Sequence, residues 1–269
     1  MSRIASRFDR LREAGRTALI PYITAGDPTP AVTVDLLHGM AASGADLLEV
    51  GVPFSDPQSD GPVIQDACQR ALAQGVTLRH VLEMVGEFRE RDTETPVVLM
   101  GYSNPIEAMG IEAFTAAAAA AGVDGVIVVD APPEEGGELI EALIDQNIDP
   151  IFLVAPTTAD ERLARICTAA RGFIYYVSLK GVTGAGTLAH GDIAGKVDSI
   201  RAHSNLPVGV GFGIRDAESA ALVGKSADAV VVGSAVVSRI AEHGDDPART
   251  QQEVRRFIGS LRAALDGTA

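Results

Sequence analysis

Glu49 stands in an apolar run, Leu47-Leu48-Glu49-Val50-Gly51-Val52-Pro53. Burying a carboxylate is costly unless it is paired or hydrogen-bonded. Two readings follow: a structural group capping nearby backbone, or a general acid/base. Partial burial would raise its pKa and let it give and take a proton near neutral pH. The next segment, Pro53-Phe54-Ser55-Asp56-Pro57-Gln58-Ser59-Asp60-Gly61-Pro62, is dense in proline, aspartate and glycine, so it reads as a structured loop. On its own, Asp56 or Asp60 is a turn residue or helix cap. The alternative is a carboxylate that holds a cation or a donor group of a ligand. No histidine or further carboxylate stands at ligand spacing, so a metal is not expected.

Glycine marks three later segments: Gly181-Val182-Thr183-Gly184-Ala185-Gly186, Gly211-Phe212-Gly213 and Gly233-Ser234. Glycine lets backbone approach an anion, and a helix start supplies free N–H donors. Ser234 would add a hydroxyl. Glycines that only make tight turns are the bland alternative. Tyr175 lies inside an apolar run, and Tyr22 and Tyr102 lie at the ends of two others. All three could fill a core, but a buried hydroxyl needs a polar partner, and Glu49 is a plausible one for Tyr175.

Eight short apolar, β-branched runs must position these groups: 18–23, 46–50, 96–101, 125–129, 150–154, 173–178, 207–210 and 228–232. Near-continuous hydrophobicity is the pattern of parallel strands covered by helices. Helical spacing fills the gaps at 30–43, 63–73, 78–91, 111–121, 133–146, 159–170, 192–202 and 216–223. A short helix is expected from Ser234 and a closing one over 247–265. The start of the chain reads as an amphipathic helix with Ile4, Phe8 and Leu11 on one face.

Alternating strands and helices fit a closed barrel or a doubly wound sheet. The turn Ala25-Gly26-Asp27-Pro28 lacks the G-x-G-x-x-G of a nucleotide-binding sheet. The count of strands and the 269 residues fit one (β/α)8 TIM barrel domain over 1–269, with additional N-terminal and C-terminal helices. In such a barrel the site lies at the C-terminal ends of the strands. Phosphate is often held there by the last two loops and a short extra helix. The Gly213 and Gly233-Ser234 segments stand at those positions.

Composition narrows the class further. The formal net charge of -14 argues against nucleic-acid binding. It leaves a phosphorylated substrate open, because backbone N–H groups can hold the anion. Cys68 and Cys167 read as buried small hydrophobes, which fits a reducing compartment. The five histidines are scattered, which disfavours metal ligation. No signal peptide and no membrane-spanning apolar run is read, so a cytoplasmic location is expected.

The run from Leu48 to Gln65, Leu48-Glu49-Val50-Gly51-Val52-Pro53-Phe54-Ser55-Asp56-Pro57-Gln58-Ser59-Asp60-Gly61-Pro62-Val63-Ile64-Gln65, resembles the signature of tryptophan synthase alpha subunits. Supporting matches are Pro21-Tyr22-Ile23-Thr24-Ala25-Gly26-Asp27-Pro28, Gly181-Val182-Thr183-Gly184 and Gly211-Phe212-Gly213-Ile214, and the resemblance spans the chain. It implies cleavage of indole-3-glycerol phosphate to indole and glyceraldehyde 3-phosphate. Glu49 and Asp60 fall on catalytic positions, and Tyr175 on a tyrosine that hydrogen-bonds the glutamate. Thr183 falls in a loop that closes over the site and helps order Asp60. Gly184, Gly213, Gly233 and Ser234 fall on phosphate-binding positions, and Tyr22 and Met100 would enclose the indole ring. Tyr22 stands where phenylalanine also occurs, so its hydroxyl should be dispensable. Ser59 replaces a residue that is often alanine.

No metal, flavin or nicotinamide is implied in this chain. The implied partner is a pyridoxal-phosphate beta subunit in an alpha2beta2 tetramer. The loop after the second strand and the 181–190 loop would communicate with it. Three competing readings remain: a phosphate-gripping barrel enzyme of a neighbouring step, a non-enzymatic activator of a beta subunit, and an enzyme that releases indole without a partner.

Overall fold

The apolar runs are strands, and each is followed by helical cover. In the computed structural model the described residues are 2–178, 190–211 and 213–267. The order is α1 (Arg3–Glu13), β1 (Ala18–Thr24), α2 (Pro30–Ala42), β2 (Leu48–Gly51), α3 (Pro62–Ala73), α4 (Leu78–Arg89) and β3 (Val97–Gly101). Then come α5 (Ser103–Met109), α6 (Ile111–Ala121), β4 (Gly125–Val128), α7 (Gly137–Asp145), β5 (Asp149–Pro150), β6 (Phe152–Val154) and α8 (Asp160–Ala169). The chain ends with β7 (Ile174–Val177), α9 (His190–Arg201), β8 (Val208–Gly211), α10 (Ala217–Gly224), β9 (Ala229–Val232), α11 (Ser234–Glu242) and α12 (Pro247–Leu265).

The sheet order is β5-β4-β3-β2-β1-β9-β8-β7-β6, and every pairing is parallel. β5 and β6 are one apolar run interrupted at Ile151. Its first half pairs with β4 and its second with β7. Ile151 N donates to Val126 O at 3.0 Å, so the same run bridges both ends of the sheet and closes the barrel. The expected eight strands are therefore present, the fifth in two pieces.

Two helix expectations need correction. The helix expected over 133–146 begins only at Gly137. Pro132-Pro133 and Gly136-Gly137 hold the preceding residues in turns. The helix α5 was not foreseen. It spans only 7 residues and carries Pro105 in its first turn, where a missing N–H costs nothing.

Inside the barrel, aromatic rings from one strand lean over glycines of the next. Tyr22 pairs in register with Glu49, and its hydroxyl lies where a Cβ on Gly51 would fall. Tyr175 pairs with Gly209 and lies over Gly211 in the same way. Below them α1 plugs the N-terminal end with Ile4, Phe8 and Leu11. Its Phe8 ring lies 5.8 Å from Phe173, which lies 6.4 Å from Tyr175. No helix among the described residues is long and apolar enough to cross a membrane.

The lower rim repeats one device. Asp46, Asp124 and Asp228 precede β2, β4 and β9. Each accepts a backbone N–H from a neighbouring strand, from Leu19 at 2.9 Å, Val97 at 2.8 Å and Val208 at 2.8 Å. Each also meets an arginine: Arg262, Arg89 and Arg201 respectively. Arg262 on α12 donates to Asp46 at 2.9 Å and to Thr17 O at 3.0 Å, which pins the closing helix under β1. Removing one partner of a buried pair leaves the other charge uncompensated. Arg262→Met should therefore destabilise the chain by about 3 kcal/mol in urea unfolding. Adding Asp46→Asn to Arg262→Met should cost less than the sum of the two single changes.

Candidate active site

The C-terminal ends of β1, β2, β3, β7, β8 and β9 converge on one cavity. Glu49, Asp60, Tyr22, Met100 and Tyr175 line it, with Gly213, Gly233 and Ser234 at its mouth. Eight of the ten residues singled out in the sequence as catalytic, phosphate-binding or indole-enclosing, Ser234 among them, are thus brought together in one place. Thr183 and Gly184 lie outside the described residues, as does Phe212.

Glu49 projects from β2 and is 1% exposed. Its Oε2 has no hydrogen-bond partner among the described residues. Burial pushes its carboxyl up to about 8, and the nearby Asp60 charge adds to this. A carboxyl in this setting is held neutral rather than ionised at pH 7. The expected hydrogen bond between Tyr175 and Glu49 is not made. Tyr175 belongs to the same buried wall, but its hydroxyl is directed to the space above Gly211. Burial, and next the Glu49 charge, push its phenol well above the usual range.

Asp60 ends the loop that leaves β2. Burial raises its carboxyl, and a hydrogen bond from Tyr102 opposes that shift. Tyr102 Oη donates to Asp60 Oδ2 at 2.9 Å and accepts from Ser59 N at 3.1 Å. Its ring stacks on Phe54 with centroids 5.2 Å apart. In the sequence Tyr102 read only as a residue at a strand end. Its position just after β3, at the catalytic end of a barrel, was the available signal. Asp56, by contrast, is exposed and accepts from Ser55 Oγ at 2.6 Å. No group of three or more potential metal ligands occurs among the described residues.

Tyr22 and Ala67 form a small apolar cluster with Val237, and Val63, Ile64 and Met100 pack against it. This wall is apolar, a setting that suits an aromatic ring. The Tyr22 hydroxyl is occupied with Thr24 Oγ1 at 3.1 Å, so it is turned to the protein. Opposite, α11 opens at Ser234 directly after Gly233. Gly233 and the exposed Ser234 line the cavity at this helix start, a placement suited to a phosphate. Ile64, Ile214 and Val231, not singled out beforehand, complete the lining.

An acid held neutral, an aspartate held by a phenol, an apolar slot and a helix start together suit a phosphorylated substrate with an aromatic ring. The family model described as "Tryptophan synthase alpha chain" matches residues 8–266. The tryptophan synthase alpha chain of Thioalkalivibrio sulfidiphilus is 62% identical over 266 residues, covering 99% of this chain and 100% of that one. That of Alkalilimnicola ehrlichii is 60% identical over 269 residues, covering 100% and 98%. The crystal structure of tryptophan synthase subunit alpha from Legionella pneumophila superposes with a TM-score of 0.92 at 44% identity, over 99% of both chains. The chain belongs to the tryptophan synthase alpha chain family, lyases that cleave indole-3-glycerol phosphate in tryptophan biosynthesis.

Proposed function

We propose that the cavity around Glu49 is where indole-3-glycerol phosphate undergoes retro-aldol cleavage to indole and glyceraldehyde 3-phosphate, in one barrel unit over residues 1–269. The observation that carries this reading is the buried Glu49 carboxyl, its Oε2 without a partner among the described residues, beside Asp60 in one cavity. Glu49 delivers a proton to indole C3, and the bond from C3 to the glycerol carbon breaks. Glu49 then takes the proton of the glycerol hydroxyl as the aldehyde forms. Asp60 accepts a hydrogen bond from the indole N–H and stabilises the positive charge that builds on that nitrogen. Tyr22 and Met100 enclose the ring, and Tyr175 walls the space beside Glu49. Gly213, Gly233 and Ser234 hold the phosphate, with Gly184 of the glycine-rich segment that also carries Thr183. This remote grip orients the reacting bond.

We further infer that the chain works in the cytoplasm beside a beta subunit, in an alpha2beta2 assembly, and that pyridoxal phosphate belongs to that partner. The exposed Ser55, Asp56, Gln58 and Ser59 at the mouth give the partner a surface next to Asp60. Indole release by the purified chain, with and without a beta subunit, tests both parts. Slow release that the partner accelerates is expected, and no release under either condition would overturn the reading.

Glu49→Gln and Asp60→Asn should each fold and bind substrate, yet lose turnover by roughly 10²–10⁴-fold. Tyr102→Phe keeps the ring stack on Phe54 and removes the hydroxyl from Asp60. A fall in kcat of roughly tenfold is expected, with the melting temperature little changed.

Glu49 also carries a pH signature. Its native carboxyl titrates near 8, whereas the ordinary value is 4.5. Between those values the native state holds a proton that the unfolded state has lost, so stability falls as pH rises. The melting temperature of Glu49→Gln relative to the parent chain should therefore increase from pH 5 to pH 9. A constant difference across that range would show that Glu49 is not held neutral.

A further inference from the structure

Gln65 closes the signature run, yet the chemistry assigned above leaves it unused. It lies in the first turn of α3, and its side chain reaches back to the preceding loop. Nε2 donates to Asp60 O at 2.8 Å and to Pro57 O at 3.4 Å. Those two carbonyls begin and end a single turn, because Asp60 N donates to Pro57 O at 3.1 Å. One amide group therefore ties both ends of the turn that presents the Asp60 carboxylate.

The helix behind Gln65 is itself fixed. Arg70, further along α3, grips Asp27 through Nε–Oδ1 at 2.7 Å and Nη2–Oδ2 at 3.0 Å. Asp27 is 0% exposed and sits in the loop after β1. A two-point arginine–carboxylate contact sets direction as well as distance. The turn at 57–60 otherwise leans on Tyr102, which holds Ser59 N and the Asp60 carboxylate. Tyr102 thus fixes the side chain of Asp60 while Gln65 fixes its backbone.

We propose that Gln65 is a positioning residue for Asp60, transmitting the rigidity of α3 to the turn that aims the carboxylate at the indole N–H. The proposal rests on the role assigned to Asp60 above. Gln65 does not line the cavity and touches no reacting atom. Its requirement is for an N–H donor at that reach. A methionine matches the length and offers no donor. An ionised glutamate would set oxygen against two carbonyl oxygens, whereas a protonated one regains a donor.

The test measures indole release by the chain with its beta subunit, as kcat and KM separately, across pH. Gln65→Met should lower kcat roughly ten- to hundredfold and leave KM within about twofold, because the phosphate grip is untouched. Gln65→Glu should behave alike at alkaline pH. Its activity relative to the parent chain should recover as pH falls and the introduced carboxyl takes up a proton. In the Asp60→Asn background, Gln65→Met should add no further loss, as expected for a residue acting through Asp60. A parent-like kcat for Gln65→Met, or an additive loss in the double variant, would overturn the proposal while Asp60 keeps its role. Near-normal turnover of Asp60→Asn would instead overturn the reading beneath it. If Gln65→Met fails to fold, the pH profile of Gln65→Glu decides: a loss that does not recover toward acid pH counts against the proposal.

Discussion

Glu49 enters the barrel interior from β2 with its Oε2 given no donor among the described residues. Leaving a charge there would cost far more than leaving a proton, so the fold itself selects the acid form. Everything around it sustains that choice. The N-terminal plug of Ile4, Phe8 and Leu11 blocks the barrel from below, and Phe173 and Tyr175 continue the apolar filling upward. Gly51 and Gly211 give up their side-chain volume so that the Tyr22 and Tyr175 rings can lie flat across neighbouring strands. A larger residue at either position would push a phenol ring into the cavity that Glu49 serves.

Asp60 has the opposite setting. It hangs from a loop rather than a strand, and its oxygen is met by the Tyr102 hydroxyl. That bond works against burial and favours the ionised form relative to Glu49. Two carboxyl groups in one cavity are thereby set apart: burial lifts Glu49 to about 8, while the Tyr102 hydroxyl opposes the upward push on Asp60. The separation is mutual, since the Asp60 charge is among the causes that raise Glu49. Strand placement and loop placement thus produce different acids from similar chemistry.

Much of this was legible in the sequence, for identifiable reasons. Parallel strands buried on both faces read as continuous apolar runs, so 18–23 and 228–232 were found nearly to the residue. The helix α5 was missed because 7 residues are too few for a period of 3.6 to declare itself. The partner of each phenol was not legible. Glu49 is the expected partner of Tyr175 because a buried hydroxyl needs a polar group and the resemblance implies that bond, but the hydroxyl is directed over Gly211. The bond that is made joins Tyr102 to Asp60 across 42 residues, a contact set by the pairing of β2 with β3 and not by local pattern.

A chain with a net charge of -14 has to admit a phosphorylated substrate. In the proposed reaction the neutral state of Glu49 serves that step as well as the chemistry. An ionised glutamate beside Asp60 would place two negative charges in the cavity that the anion must approach, and in an apolar interior their repulsion is weakly screened. With Glu49 protonated, Asp60 is the one remaining carboxylate among the described residues that line the cavity, and the start of α11 offers the phosphate a site that needs no lysine or arginine. The proton that lowers the barrier to binding is the same one delivered to indole C3. The burial of one side chain therefore supports both capture and cleavage, which explains why the barrel encloses that carboxyl so completely while leaving Asp60 on a loop.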